Sequence, residues 1–580
     1  MKEEKKTMPL STQVPDAAPP AESGSRIAVE SESRPPNTHS AGHLIVKTLQ
    51  SHGVRRVYAV PGESYLDVLD GLHDSEIETV VTRHEGGAGF MALAEGRLTD
   101  VPGICMVTRG PGAANAMIAV HTAWQDATAM VLFVGLIPQT DRGRGAFQEF
   151  SLEGWFGTTA KAVFTLDDEQ QAGQLVSRAL RLASAGRPGP VVIGLPEDVL
   201  VRQSPAQVPA PLPEAIVKPH DEQVAQLCRL LIEAERPLLI AGGDHWNAQS
   251  SAVLAGFAEQ TNIPVVTDWR AYDAIDHVSP AYGGWLGYGR GDNTLRAMKD
   301  SDLLVFLGCE RSDVLSEGYT VAMDTPTVVV NPDPDLYPHA GRLDAHLPVT
   351  PLVFLTAALR ATQGVSRDSS WAETVRAAQL RFSTPIPDGG SGVDLGVAFE
   401  ILQRRLPKDR IATYGAGNAT LWGHRYLSHH GPGSLVGPRN GAMGLSVPAA
   451  VAASLIYPHR QVVAVCGDGD FFMNAQELAV SFAHGGTPLV LVVDNGIYGT
   501  IVAHQRQHYP GRPSGTSMTN PNFGQWIASF GGHGEMVETT EQFEGALERA
   551  LTSGLPAVLH LKTDPETMGP GTTAHGEDQN

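Results

Sequence analysis

The chain has 580 residues, 42% of them hydrophobic and 62 of them glycine, enough for three or four domains with sizeable cores. Lys+Arg total 42 against 63 for Asp+Glu, a net charge of -21; so acidic a surface repels phosphodiester backbones and anionic membranes and argues against both as partners. The four cysteines (Cys105, Cys228, Cys309, Cys466) show no CxxC spacing, which argues against a disulfide framework or thiolate metal site and fits a reducing, cytoplasmic interior.

In chain order, residues 1–40 are rich in Pro, Ser, Glu and Lys, without the apolar core of a signal peptide, and are expected to be a disordered tail. From 41 to 203, short buried strands (57–60, 79–82, 103–108, 130–135, 190–195) alternate with helices, the pattern of a parallel sheet covered on both faces. A Pro-rich linker follows at 204–219. The same alternation recurs over 217–365, with strands at 237–241, 303–307 and 327–330, and again over 390–565, with strands at 462–466, 488–493 and 557–561. Residues 566–580 are expected to be a second disordered tail. The fold class is α/β, with three doubly wound parallel-sheet domains. No apolar run reaches membrane-spanning length.

The sharpest signal is the strand at 462–466 running into Gly467-Asp468-Gly469-Asp470, then a helix at 474–484, then the strand at 488–493 running into Asp494-Asn495. Open α/β sheets bind ligands at the carboxyl ends of their strands, so both loops belong to one crevice. Gly467 and Gly469 let backbone approach a diphosphate. Asp468, Asn495 and the carbonyl of Ile497 offer the hard oxygens that Mg²⁺ takes. Asp and Gly also make ordinary surface turns, the bland alternative; two apolar strands delivering both elements weigh against it.

With these residues the sequence resembles the thiamine-diphosphate (ThDP) enzyme superfamily, and most closely the acetolactate synthase catalytic subunits. The likeness runs from about 41 to 565 through Arg83-His84-Glu85-Gly86-Gly87-Ala88-Gly89, Gly110-Pro111-Gly112-Ala113-Ala114-Asn115, Ala146-Phe147-Gln148-Glu149 and Gly441-Ala442-Met443-Gly444. The resemblance implies a pyrimidine-binding first domain, a central Rossmann-like domain and a diphosphate-binding third domain. It implies that Glu85 bonds the cofactor's aminopyrimidine and shuttles a proton, a task suited to a carboxyl in an apolar crevice. Taken alone, Glu85 reads equally as a helix-start charge or a partner of Arg83. Met443 would support the bent cofactor, with Gly417, Asn418, Gly441 and Gly499 lining it. Because Glu85 and Asp468 lie on different domains, the resemblance implies active sites between chains of a homodimer or homotetramer; it is silent on a regulatory subunit.

Several positions depart from the synthase pattern. Glu63 stands where a glycine is expected and Arg109 where a serine is; an extra carboxylate at 63 repels an incoming carboxylate unless neutralised, and Arg109 reads either as a bidentate ligand for a substrate carboxylate or as the partner of a structural acid. Thr500 and His504 replace a Met and a Trp. His504 is a candidate acid or base, or a solvated residue of a polar helix, and Gln148 a substrate contact or a structural amide. The stretch Cys309-Glu310-Arg311-Ser312-Asp313 keeps the synthase FAD pattern only in part, leaving FAD open with the balance against it. The activity implied is decarboxylation of pyruvate and acyl transfer to a second 2-oxo acid, as in branched-chain amino acid biosynthesis. Rival readings are a 2-oxo acid decarboxylase, a cyclic 1,2-dione hydrolase, a non-catalytic ThDP-binding regulator, and a dinucleotide oxidoreductase, the last opposed by the missing GxGxxG.

Overall fold

The computed structural model describes residues 38–573 except 214, 215, 244 and 366. Three six-stranded, wholly parallel sheets organise the chain. The first holds β1 (Arg56–Ala59), β2 (Glu78–Val81), β3 (Gly103–Val107), β4 (Met130–Leu136), β5 (Ala162–Thr165) and β6 (Pro190–Pro196), in the order 2-1-3-4-6-5. The second holds β7 (Pro237–Ala241), β8 (Val265–Asp268), β9 (Tyr282–Leu286), β10 (Leu303–Leu307), β11 (Thr327–Val330) and β12 (Ala345–Leu347), in the order 9-8-7-10-11-12. The third holds β13 (Ile411–Tyr414), β14 (Leu435–Val436), β15 (Val462–Gly467), β16 (Leu489–Asp494), β17 (His533–Val537) and β18 (Ala557–Lys562), in the order 14-13-15-16-18-17. The first and third sheets therefore share one topology, which no short repeat in the sequence discloses.

Period-two burial explains why these strands read as unbroken apolar runs. Along β15, Val462, Ala464 and Cys466 enter one core while Val463 and Val465 enter another. Both faces are dry, so no position needs to be polar.

Between the first and third sheets lie α1 (Glu85–Leu98) and α3 (Ser446–Ile456), which pack against each other; α2 (Pro111–Asp126) packs on α1. α1 is half Ala and Gly, α3 is rich in Ala, and both are buried nearly all round. Gly96 also seats α1 on its own sheet: a Cβ there would stand 2.1 Å from the carbonyl oxygen of Ala129, the residue before β4. Buried ion pairs link the second sheet's segment to the others, Arg97 to Asp273 at 3.0 Å and Arg439 to Asp268 at 2.6 Å.

Three expectations need correction. The predicted helix at 474–484 instead starts at Asp468 as α4 (Asp468–Asn474), turns at Ala475–Glu477 and resumes at Leu478–His484. Extended Gly467 caps α4, and acidic side chains in its first turn suit the helix dipole. The tail expected at 566–580 is ordered up to 573: Thr567–Gly569 pairs with Thr572–Thr573, and Arg506 and Arg425 hold the segment through Glu566 (2.9 Å) and the Pro570 carbonyl (2.9 Å). The end of the tail expected at 1–40 is likewise structured, since His39–Ser40 pairs with Gln203–Ser204. The rest of both tails, 1–37 and 574–580, lies outside the described residues. Among the described residues no helix is long and apolar enough to cross a membrane.

Candidate active site

The carboxyl edges of the second and third sheets open onto a cavity of about 1410 Å³, larger than the roughly 300–1,000 Å³ of an ordinary ligand site. Gly417, Asn418, Gly441, Met443, Gly467, Asp468, Gly469, Asn495, Ile497, Gly499 and His504 all line it. Glu85 and Gln148 do not; they stand on the edge of the first sheet.

Asp468 enters the cavity at the start of α4, 4% exposed. Its carboxylate accepts the N–H of Gly469 at 3.0 Å, the N–H of Gly496 at 3.0 Å and the Asn520 amide at 2.7 Å. The same Asn520 nitrogen donates to Asp494 at 2.9 Å. Asp494 is fully buried at the end of β16 and is clamped by His560 at 2.6 Å and Lys562 at 2.8 Å. The pair therefore divides its charge. Burial and the neighbouring Asp494 push the Asp468 carboxyl up to about 7. Burial also disfavours charge on Asp494, but His560 and Lys562 overcome it and hold that group well below the usual carboxylate range. Asp468 is thus a carboxyl short of positive charge, facing the cavity.

Asn495 accepts from the Ile497 N–H at 3.2 Å, which bends the loop so that the Ile497 carbonyl follows it. Among the hydrogen bonds of the described residues none ends on that carbonyl. An acid, an amide oxygen and a free carbonyl form a donor set that suits Mg²⁺ rather than a soft metal. Beside them, Gly415 is obligatory, because a Cβ there would meet the Asp470 carboxylate at 1.9 Å. Asp470 itself, its pKa raised to about 6 by burial, takes the Gly444 N–H at 2.6 Å and fixes the turn that carries Met443. Gly441 and Gly417 have positive φ, 70° and 93° respectively; a Cβ on Gly441 would face open space and one on Gly417 would meet the Thr500 hydroxyl at 3.7 Å, so a diphosphate or ring can approach the backbone there. Asn418 accepts the Thr500 hydroxyl at 2.8 Å, joining the loop after β13 to α5 (Gly499–His508). His504, exposed on α5, stacks with His508 one turn on, with ring centroids 6.4 Å apart.

The second half of the site is the edge of the first sheet. Glu85 opens α1, and its carboxylate accepts the Asn115 amide of α2 at 2.9 Å. Gln148 adopts φ 63°, rare for a residue with a Cβ, and lies over Gly110. Close to Glu85, one link to the third sheet's segment runs through Glu477. That residue is fully buried just past α4, and its carboxylate accepts the Arg83 N–H at 3.0 Å, two residues before Glu85.

The arm of the cavity running along the second sheet meets Glu310, Ser312, Asp313, Asp333 and Asp335, together with Lys161 and Arg187. Arg311, the cation of the partial FAD pattern, is turned away into that domain, donating to the Met323 carbonyl at 3.1 Å and the Ala340 carbonyl at 3.3 Å. The 309–313 stretch therefore offers this arm carboxylates and a hydroxyl but no cation for a dinucleotide diphosphate. The residues present do not fit FAD in that pattern.

Sequence reasoning missed Asp470, Asp494, Asn520, His560, Lys562 and Glu477. Asp494 and Asp470 sit within the motifs and were legible as carboxylates. Nothing in the sequence spacing points to Asn520, His560 or Glu477.

Family models match the chain along most of its length: "Thiamine pyrophosphate enzyme, N-terminal TPP binding domain" at 39–154, the central domain at 224–350 and the C-terminal TPP binding domain at 415–561. The acetolactate synthase isozyme 2 large subunit of Escherichia coli (strain K12) is 30% identical over 528 residues, covering 90% of this chain and 95% of that protein. The acetolactate synthase large subunits of Parasynechococcus marenigrum and Corynebacterium glutamicum are each 29% identical, over 93% and 87% of this chain and 90% and 82% of theirs.

Proposed function

This chain belongs to the thiamine pyrophosphate enzyme family as an acetolactate-synthase-like enzyme, and from that premise we propose that it uses ThDP and Mg²⁺ to remove CO₂ from a 2-oxo acid and pass the remaining acyl group to a second carbonyl compound. The single observation that carries the reading is the oxygen donor set of Asp468, Asn495 and the Ile497 carbonyl on a glycine-lined cavity.

Asp468, Asn495 and the Ile497 carbonyl hold the metal, and Gly467, Gly469 and Gly499 let the diphosphate lie against backbone. Gly417, Asn418, Gly441 and Met443 receive the rings. When bound, the thiazolium ring supplies the electron sink for breaking the bond beside the carbonyl. Glu85, oriented by Asn115, holds and returns the proton that switches the cofactor on. Gln148 and His504 contact the substrate.

Since Glu85 lies outside the cavity that holds Asp468, a complete site takes the first-sheet edge of one chain and the third-sheet edge of another, in a homodimer or a homotetramer. Apolar side chains left in water on the helices beside both half-sites support such an interface: Ile118 on α2 (42% exposed), Phe472 and Met473 on α4 (44% and 48%).

The test is CO₂ release from a panel of 2-oxo acids in the presence of ThDP and Mg²⁺. Glu85→Gln is expected to lose about 10²-fold or more of the rate, within the range for a proton-transfer group, while still binding the cofactor in a thermal-shift titration. No CO₂ from any 2-oxo acid, or near-normal turnover by the Gln variant, refutes the reading.

A further inference from the structure

Glu63 and Arg109, the two departures at the edge of the first sheet, are a single ion pair. Arg109 donates to Glu63 at 2.6 Å and, with its other terminal nitrogen, to Glu197 at 2.7 Å. The three residues follow β1, β3 and β6: Glu63 opens a 3-10 turn, Arg109 lies on a loop and Glu197 opens a short helix. The guanidinium is 9% exposed, whereas the Glu63 side chain is 70% exposed. Arg109 is therefore spent: both its terminal nitrogens are bound to carboxylates, and no end is turned outward to grip a substrate carboxylate. The triad as a whole carries one excess negative charge, and Glu63 presents it.

That charge lies on the same sheet edge as Glu85. Gly62 packs on Thr108, a Cβ there falling 2.4 Å from the Thr108 Cβ, and the Thr108 hydroxyl bonds Ser64 at 2.9 Å. Thr108 in turn packs on Gly112, whose Cβ position is 3.0 Å from the Thr108 methyl and 3.5 Å from the Glu85 carboxylate. Glu63, Arg109 and Glu85 thus share one continuous wall. The other arginines of this edge are Arg83, on the separate loop after β2 beside Glu85, and Arg142 and Arg144, on the segment after β4, where they pair with Asp167 at 2.7 Å and Asp141 at 3.5 Å.

Resting on the carboligase reading above, we infer that the Glu63–Arg109–Glu197 triad selects an uncharged acceptor, an aldehyde, against a second 2-oxo acid. The donor also enters as an anion, but its carboxylate has left as CO₂ before the new carbon–carbon bond forms, whereas a 2-oxo acid acceptor keeps its charge beside the triad through that step. The reaction is R–CO–COO⁻ + R′–CHO + H⁺ → R–CO–CH(OH)–R′ + CO₂: the bond to the carboxylate breaks, a carbon–carbon bond forms to the aldehyde carbon, and the resulting alkoxide takes one proton. One like charge at contact range near a protein surface is enough to disfavour an anionic acceptor roughly tenfold.

The test supplies the enzyme, ThDP, Mg²⁺ and its best donor with equal propanal and 2-oxobutanoate, and quantifies both adducts. The aldehyde adduct is expected to dominate, with Glu63→Gln and the Glu63→Gly/Arg109→Ser pair each raising the share of the 2-oxo acid adduct about tenfold. Raising KCl from about 0.02 to 0.5 M, which shortens screening lengths from about 20 Å to about 4 Å, should raise that share in the wild type but not in the double variant. The salt series decides alone if the variants do not fold. A dominant 2-oxo acid adduct, a ratio indifferent to salt, or release of free aldehyde with no ligation overturns the inference. If no 2-oxo acid yields CO₂, the underlying reading fails and this inference falls with it.

Discussion

Replacing Glu477 by Gln should stabilise the protein above neutral pH. The carboxyl is fully buried between α1 and the turn after α4, and burial is the largest reason that its pKa rises from an ordinary 4.5 to about 7. The charge of nearby Glu85 adds to the rise, whereas the main-chain N–H groups of Arg83 and His84 and the Arg83 charge oppose it. An acid whose folded pKa is raised destabilises the fold when it ionises. The penalty is absent below pH 4.5, grows through the window from 4.5 to about 7 and is complete above it. At about 1.4 kcal/mol per pH unit, it reaches about 3 kcal/mol at pH 8. Gln keeps an oxygen for the Arg83 N–H but loses the charge assistance, which offsets about 1 kcal/mol. The expected net gain is about 2 kcal/mol at pH 8, falling to zero or slightly below at pH 4.5. Urea midpoints of cofactor-free wild type and variant, at one protein concentration across pH 4.5 to 8, measure it. A difference that does not change with pH, or a variant less stable at pH 8, refutes the reasoning.

The metal loop and the packing of α1 give two further expectations. Asp468→Asn should abolish the rise in melting temperature that ThDP with Mg²⁺ produces, about 2.7 kcal/mol at a hundredfold excess over Kd. Without cofactor, the same variant should be no less stable than wild type above pH 7, because it relieves a buried carboxyl beside Asp494; a retained Mg²⁺-dependent shift contradicts the ligand role. Gly96→Ala ought to gain up to about 1 kcal/mol in helix propensity, yet the added methyl meets the Ala129 carbonyl at 2.1 Å. The clash should win, for a net loss of about 1–3 kcal/mol in urea melts, and an equal or more stable variant would show that the packing of α1 on the residue before β4 can yield.

How much of this was legible depended on sequence distance. The strands could be read because both their faces are dry, and Asp468 and Asn495 because each directly follows such a strand. The braces were not legible. Asn520 reaches Asp494 across 26 residues and Asp468 across 52; Glu197 reaches Arg109 across 88, and Glu477 reaches Arg83 across 394. Pairings of that separation leave no periodicity to detect. The ion pair at Glu63 was half visible: the sequence showed that a carboxylate there needs neutralising, and only the fold shows that Arg109 does it. The helix at 474–484 was misplaced because Gly467-Asp468-Gly469 looks like a loop, whereas glycine before an acid also caps a helix.

The Ala- and Gly-rich seam between α1 and α3 acts as a caliper. Long, flexible side chains would let the two half-sites of a chain drift relative to each other; short, buried ones packed face to face do not. The gap between the helix that bears Glu85 and the one that follows α3 is therefore preset when the chain folds. A new substrate preference has to be written into the rims, at residues such as Glu63, Arg109 and Thr500, because the span itself offers nothing to adjust.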